Sequence, residues 1–173
     1  MTQGQNLRQK RREELTKKDS YMGDLFNKFK DSAFGEDTEI VGVFEKKSDV
    51  EAILSRGKFI SADNVSSVKG EASGCHYNSA ELFIEDQANR RIATGYALSK
   101  DNLWRCHSWI MEVSNEGEKV IETTEPREKY FGYILSLKES ILFATNEVGY
   151  FRQTEISSLL EDEVEEEGIK HAL

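Results

Sequence analysis

The sequence predicts an α+β fold in which a helix that begins at a cysteine packs on an antiparallel β-meander. Two observations lead to this prediction. Helical periodicity starts at Cys75 and runs to about residue 88, with Ala80, Phe83 and Ile84 on its apolar side. After it, four short runs rich in β-branched and aromatic residues occupy residues 91–135, and turn signals such as Asn115-Glu116-Gly117 separate them.

Length and composition favour a single soluble domain. The chain has 173 residues, of which 38% are hydrophobic and 32% charged, and no apolar run approaches the roughly 20 residues that a membrane span needs. The first residues are polar and basic with no apolar stretch behind them, which argues against a secretory signal and favours a cytoplasmic location. The net charge of −9 disfavours general binding to nucleic acid.

Charge divides the chain into three parts. Lys and Arg outnumber Asp and Glu in the first 30 residues, so residues 1–36 are interpreted as a basic, helical N-terminal extension. Residues 37–152 form the predicted α+β domain, and residues 153–173 an acidic helix or tail. Solvated helices are the simplest interpretation of both ends. The alternatives are contact of the basic segment with nucleic acid and folding of the acidic segment back onto it.

Before the cysteine, the sequence predicts one strand, one helix and one loop. Residues 40–44 read as a short strand. Ser48 and Glu51 have the spacing of a capping box that would open a helix ending near Gly57. Residues 58–74 are rich in serine and punctuated by glycine, which predicts a loop that forms part of a substrate cleft.

After the cysteine helix, four strands and one further helix are predicted. The strands cover residues 91–98, 103–113, 119–124 and 130–135. Residues 137–150 have an ambiguous pattern that we interpret as a helix. No repeat of the sequence within the chain is visible.

Two cysteines and three histidines give no metal-binding pattern. The spacing of Cys75, Cys106 and the histidines resembles no zinc site, so neither a metal nor another cofactor is expected. In a reducing compartment both cysteines would be free thiols.

The most informative residues are Cys75, His107 and Glu122. A cysteine at a helix start lies near unpaired backbone N–H groups and the positive end of the helix dipole, which both favour the thiolate. Alternation along the second strand puts His107 and Trp109 on one face, and a hairpin at Asn115 to Gly117 would bring His107 near Glu122 or Thr123. A thiol, an imidazole and an orienting carboxylate are the minimum set for thiol-based acyl transfer.

This order of residues resembles the papain-like fold in its transglutaminase-like branch. The matching segments are Cys75 at a helix start, His107-Ser108-Trp109 and Glu122-Thr123-Thr124, within residues 70–135. The resemblance implies a nucleophilic Cys75, a general base and acid in His107 and an orienting Glu122, where that branch usually carries an aspartate. The Cys-His-x-Asn, Gly-Tyr-Ala-Leu-Ser and Leu-Trp-Arg-x-His-Ser-Trp segments also resemble an uncharacterised bacterial branch.

Each candidate also has an ordinary structural interpretation. Cys75 could be an inert packed residue, and Cys106 is expected in the core. His76 is interpreted as structural or substrate-facing rather than catalytic. The candidates for contact with the substrate or an oxyanion are Asn78, Asn64, Trp109, Trp104 and Arg105. Asn78 could equally bind the preceding loop, and Trp109 could cover the imidazole or simply be core. Trp104 and Arg105 could line the cleft.

The sequence therefore predicts a thiol-dependent hydrolase or acyltransferase. Cys75 would attack an amide or ester in a protein, a peptide or a small molecule and form an acyl-enzyme. The alternative is a non-catalytic module on the same fold, which would bind a partner through residues 58–74 and a rim formed by Trp104 and Arg105.

Overall fold

The computed structural model describes residue 13, residues 39–42, residue 44 and residues 46–114 and 117–149. This part of the chain contains helices and strands in mixed order, which confirms the α+β class. The elements, in chain order, are β1 (Glu39–Ile40), α1 (Lys47–Arg56), β2 (Lys58–Ile60), β3 (Val65–Ser67), α2 (Cys75–Glu85), β4 (Arg90–Leu98), β5 (Leu103–Ser114), β6 (Gly117–Glu122), β7 (Lys129–Ile134) and α3 (Leu137–Val148).

Several predictions fall outside the described residues. Of the predicted basic extension, residues 1–36, only Glu13 is described, and it is helical. The predicted acidic segment, residues 153–173, lies wholly outside, as do Asn115 and Glu116 of the predicted hairpin turn.

The seven strands form one mixed sheet in the order β2-β7-β4-β5-β6-β3, with β1 paired to β5. Strands β4, β5 and β6 are neighbours, as a meander requires, and β5 pairs with β6 in antiparallel fashion from Ser114 opposite Gly117 to Ile110 opposite Ile121. The sheet that contains the predicted meander is mixed and not antiparallel throughout, because β1 runs parallel to β5 and β3 runs parallel to β6. In addition, β7 follows β6 in the chain but lies beside β4.

The differences from prediction are concentrated before Cys75. Helix α1 starts at Lys47, and its N-cap residue Lys46 makes no side-chain capping bond, so the predicted capping box at Ser48 and Glu51 is wrong. Instead, the Ser48 hydroxyl donates to the Asp49 carboxylate at 3.3 Å. The predicted loop 58–74 contains β2 and β3, which are three residues each and exist through pairing with the distant strands β7 and β6.

A capping box does open α3. The Ser136 hydroxyl accepts from the Glu139 N–H at 3.2 Å, and the Glu139 carboxylate accepts from the Ser136 N–H at 2.7 Å. The helix ends at Val148 and is capped by Gly149, whose φ of 60° is the left-handed conformation that glycine adopts without strain. The predicted helix after residue 137 is confirmed, and Ser136-Leu137-Lys138-Glu139 is the sequence signal for its start.

The described residues form two compact units. The first comprises the described residues up to Ile60 with Gly95–Cys106 and Arg127–Gly132, and the second comprises Ser61–Thr94, His107–Pro126 and the described residues from Tyr133. In the first unit, Phe59 packs on Phe131 with ring centroids 4.7 Å apart, beside the fully buried Trp104.

The second unit is built around the packing of α2 on α3. The buried side chains of these two helices include Ala80, Phe83, Ile141 and Ala144. The Ser140 hydroxyl, on the buried side of α3, accepts from the Ile92 N–H of β4 at 3.2 Å. These contacts fix α2, and therefore its first residue, Cys75. No helix in the described parts of the chain is long and apolar enough to cross a membrane.

Candidate active site

The cysteine lies at the start of α2, as the helical pattern predicts. Gly74 is the N-cap residue and makes no side-chain capping bond, and the first helical hydrogen bond runs from the Asn78 N–H to the Gly74 carbonyl at 2.8 Å. The N–H groups before Asn78 therefore have no acceptor within the helix. The His76 N–H and the Ser108 N–H both donate to the half-buried Cys75 sulfur.

His107 and Glu122 meet across β5 and β6. The His107 Nε2 lies 2.9 Å from the Glu122 Oε2 and 3.1 Å from the Oε1, and both residues are buried, with exposures of 1% and 0%. The β5–β6 register pairs Ile110 with Ile121, so its next step puts Trp109 opposite Glu122 and the His107 ring diagonal to the carboxylate.

The Glu122 carboxylate is held by donors from the chain just after it. Its Oε1 accepts from the Thr123 N–H at 3.0 Å, and from the Thr124 N–H and hydroxyl, each at 2.9 Å. Burial acts to raise the pKa of Glu122, but the hydrogen bond and charge of His107, helped by Thr124, lower it below its ordinary value. Glu122 is therefore an ionised carboxylate inside the protein.

The His107 ring connects this carboxylate to the thiol. The Cys75 side chain hydrogen-bonds to the His107 ring. Because Nε2 is engaged by Glu122, Nδ1 is the ring nitrogen that remains for the sulfur. Burial acts to lower the pKa of His107, yet its bonds to Cys75 and Glu122 and their charges raise it. The structure thus brings together the three residues that the sequence singles out.

The same contacts lower the pKa of the Cys75 thiol. Burial acts to raise it, but the hydrogen bond and charge of His107, with the Ser108 and His76 N–H donors, outweigh burial. A lowered thiol pKa and a raised imidazole pKa bring the two titrations together. Both shifts favour the thiolate–imidazolium form of the Cys75–His107 pair over its neutral form.

Trp109 covers one face of the imidazole. The two rings are stacked at 6.2 Å between centroids and 22° between planes, and Trp109 is fully buried. An indole in this position keeps water from His107 and limits the rotation of its ring. Trp109 is therefore both a core residue and a cover over the His107 imidazole.

Asn78 binds the preceding loop. Its Oδ1 accepts from the Glu71 N–H at 3.0 Å, and its Nδ2 donates to the carbonyls of Glu71 at 2.9 Å and Thr123 at 3.4 Å. Both amide hydrogens are therefore used, which leaves no donor for an oxyanion. A Cβ on Gly70 would lie 2.4 Å from the Asn78 side chain, so only glycine allows this close approach.

The structure does not bring Asn64 to the thiol. Its side chain is exposed and donates to the Glu118 carbonyl at 3.2 Å. Glu118 lies four residues before Glu122 on β6, which is about 13 Å along a strand. Asn64 therefore helps to pair β3 with the far end of β6.

Trp104 and Arg105 belong to the first unit. Trp104 is fully buried and lies opposite Ile40 in the β1–β5 pairing. The Arg105 guanidinium makes a bidentate ion pair with Asp101, at 2.7 and 2.9 Å. Cys106, also in this unit, lies beside Gly42 and hydrogen-bonds with Tyr96.

Sequence reasoning missed two partners of the site. Ser108 lies between the two residues that were singled out on β5, and its backbone N–H contacts the thiol. Thr124 supplies two of the donors to Glu122. The hydroxyl residues directly after Glu122, Thr123-Thr124, were the available signal. Backbone donors such as the Ser108 N–H leave no signal in a sequence.

Comparisons with family models, with curated proteins and with solved structures find no match to this chain. Among the described residues, no group of three or more His, Cys, Asp or Glu side chains is placed to hold a metal ion.

Proposed function

We propose that this protein is a thiol-dependent hydrolase or acyltransferase that acts on an amide or ester through an acyl-enzyme on Cys75. The observation that carries the proposal is the continuous set of hydrogen bonds from the Cys75 thiol through the His107 ring to the buried Glu122 carboxylate. A papain-like core of the transglutaminase-like branch is part of the same proposal, supported by the order of helix, His strand and acid strand.

The chemistry follows from the charges. The Cys75 thiolate attacks the carbonyl carbon and forms a C–S bond, while the carbonyl π electrons move to oxygen. As the tetrahedral intermediate collapses, the bond to the leaving nitrogen or oxygen breaks, and the imidazolium of His107 protonates that atom. Water or an amine then attacks the thioester carbonyl carbon and gives its proton to His107. The C–S bond breaks, the product leaves, and the Cys75 thiolate is restored beside the imidazolium.

Glu122 orients the imidazole and stabilises its charge. Its bond to Nε2 fixes the tautomer that presents Nδ1 to the sulfur, and its negative charge favours the imidazolium in a site that excludes water. The backbone N–H of Cys75, at the first position of α2, is our candidate for the oxyanion donor. Asn64 binds the Glu118 carbonyl and Asn78 binds Glu71 and Thr123, so we assign neither of them to that role.

The cost of burying charges favours a functional role for the His107–Glu122 pair over a role in packing alone. Burying an ion pair contributes little to stability compared with packed apolar residues, because both charges lose their hydration. Here the buried His107–Glu122 pair also contacts a half-buried thiol, which inert packing does not require. The alternative, a binding module, loses one part of its expected rim, because Trp104 is fully buried.

Reaction with p-nitrophenyl acetate tests the proposal. We expect a burst of nitrophenolate and, by peptide mass spectrometry after acid quenching, one acetyl group on the peptide that contains Cys75. The thioester should disappear with time as water completes the reaction. Acetylation confined to lysines, with Cys75 unmodified throughout, would contradict the proposal.

A further inference from the structure

A second histidine, His76, contacts Ser108, the residue of β5 whose N–H also contacts the Cys75 thiol. The His76 Nδ1 lies 2.7 Å from the Ser108 Oγ, and the Ser108 hydroxyl donates to the Thr94 Oγ1 at 3.3 Å. The three side chains come from α2, β5 and β4, all within the second unit. They form a hydrogen-bonded row directly beside Cys75.

The contacts of Ser108 suggest one tautomer of His76. A Ser108 hydroxyl that donates to Thr94 accepts from His76 on its oxygen, and on that basis we assign the proton of His76 to Nδ1. Burial lowers the pKa of His76, the charge of Glu147 acts to raise it, and the charge of His107 lowers it further. A neutral His76 that donates from Nδ1 fits this environment.

Ser108 therefore makes two contacts with the first turn of α2. Its N–H donates to the Cys75 sulfur, and its hydroxyl accepts from the next residue, His76. The His76 ring is also held by an edge contact with Phe143 of α3, at 5.8 Å between centroids and 65° between planes. The start of α2, strand β5 and helix α3 therefore meet where the Ser108 N–H donates to the Cys75 sulfur.

We propose that His76 is a positioning residue of the thiolate site, which holds the Ser108 N–H on the Cys75 sulfur through its bond to the Ser108 hydroxyl. This inference deepens the proposed function and rests on it for its purpose, since the sulfur needs a fixed donor only if its thiolate reacts. Without the bond, Ser108 could shift relative to the helix start, and the sulfur would lose one of the donors that stabilise its negative charge.

Two substitutions of His76 separate positioning from simple packing. His76→Phe keeps an aromatic ring against Phe143 but removes the donor. His76→Asn removes the ring, while its amide N–H₂ can replace the Nδ1–H. The measurement is the rate at which iodoacetamide alkylates Cys75 as a function of pH in the 173-residue chain, followed by peptide mass spectrometry with Cys106 as the internal reference.

In His76→Phe, we expect the midpoint of Cys75 alkylation to rise by about one pH unit, which means about tenfold less thiolate below the midpoint. His76→Asn should stay within about twofold of the wild-type rate. Ser108→Ala, which removes the acceptor from the other side, should reproduce the effect of His76→Phe and replaces that variant if it fails to fold.

A midpoint in His76→Phe equal to that of the wild type would overturn the positioning role, as would equal losses in His76→Phe and His76→Asn. Alkylation needs no substrate, so this result is independent of whether an acyl-enzyme forms. A failed acylation test with a shifted alkylation midpoint would contradict the proposed function alone. A successful acylation test with an unshifted alkylation midpoint in His76→Phe would contradict the role of His76 alone.

Discussion

Replacing Cys75 by serine is expected to lower acyl transfer from p-nitrophenyl acetate by at least about a thousandfold. Serine keeps the size of the side chain, but its hydroxyl is far less acidic than a thiol, so the site would lose the thiolate that pairs with His107. The measurement is the rate of nitrophenolate release, corrected for the uncatalysed reaction.

Cys106→Ser is the matched control for this variant. Cys106 is the other cysteine of the chain and is half-buried like Cys75, but it lies in the first unit beside Gly42. Although Cys106 directly precedes His107, alternation along β5 puts its side chain on the opposite face of the sheet, so its loss should leave the rate within about twofold of the wild type. Retention of more than a tenth of the wild-type rate by Cys75→Ser would show that another group is the nucleophile.

Replacing Glu122 by alanine is expected to have the largest effect on stability, a loss of about 3–5 kcal/mol in the free energy of unfolding. The substitution removes the acceptor for His107, for the Thr123 and Thr124 N–H groups and for the Thr124 hydroxyl. It also leaves the buried His107 without its counter-charge. Urea denaturation at pH 6 measures the effect. Glu118→Gln, at an exposed position of the same strand, is the control, with an expected change of at most about 0.5 kcal/mol.

The loss should depend on pH in a defined way. The lowered pKa of Glu122 contributes stability that is present above the unfolded value of about 4.3 and disappears as pH falls through the folded pKa. The raised pKa of His107 contributes stability that is present below about 6.5 and disappears as pH rises through its folded pKa. The difference between wild type and Glu122→Ala should therefore be largest between about pH 4.3 and 6.5. A difference that stays constant from pH 3 to 9 would contradict this ionic account.

Local patterns in the sequence predict much of the candidate site. The helix start at Cys75 follows from periodicity, and strand alternation with a short turn places His107 near Glu122. Both inferences depend only on neighbouring residues or on one hairpin. The contact between the Cys75 thiol and the His107 imidazole depends on how α2 packs, and only the structure provides it.

The errors share a physical cause, which is dependence on distant partners. Strand β3 is three residues long and has no alternation of its own, but it forms because β6 offers a partner. Asn78 looked available for an oxyanion, but its amide is used by Glu71 and Thr123, the latter 45 positions along the chain. Trp104 follows a turn, which predicts a place in a cleft, yet it is fully buried, is paired with Ile40 of β1 and makes an edge contact with Phe59.

The most direct test of the central claim is the pH dependence of Cys75 alkylation by iodoacetamide in the wild type and in His107→Asn. The wild-type thiol should react with a midpoint below about 8.5, the value of an unperturbed cysteine, because His107 stabilises the thiolate. In His107→Asn the midpoint should rise to that value or above, since burial then acts without its counterweight. A wild-type midpoint at or above 8.5, unchanged by His107→Asn, would contradict a thiolate–imidazolium pair at this site.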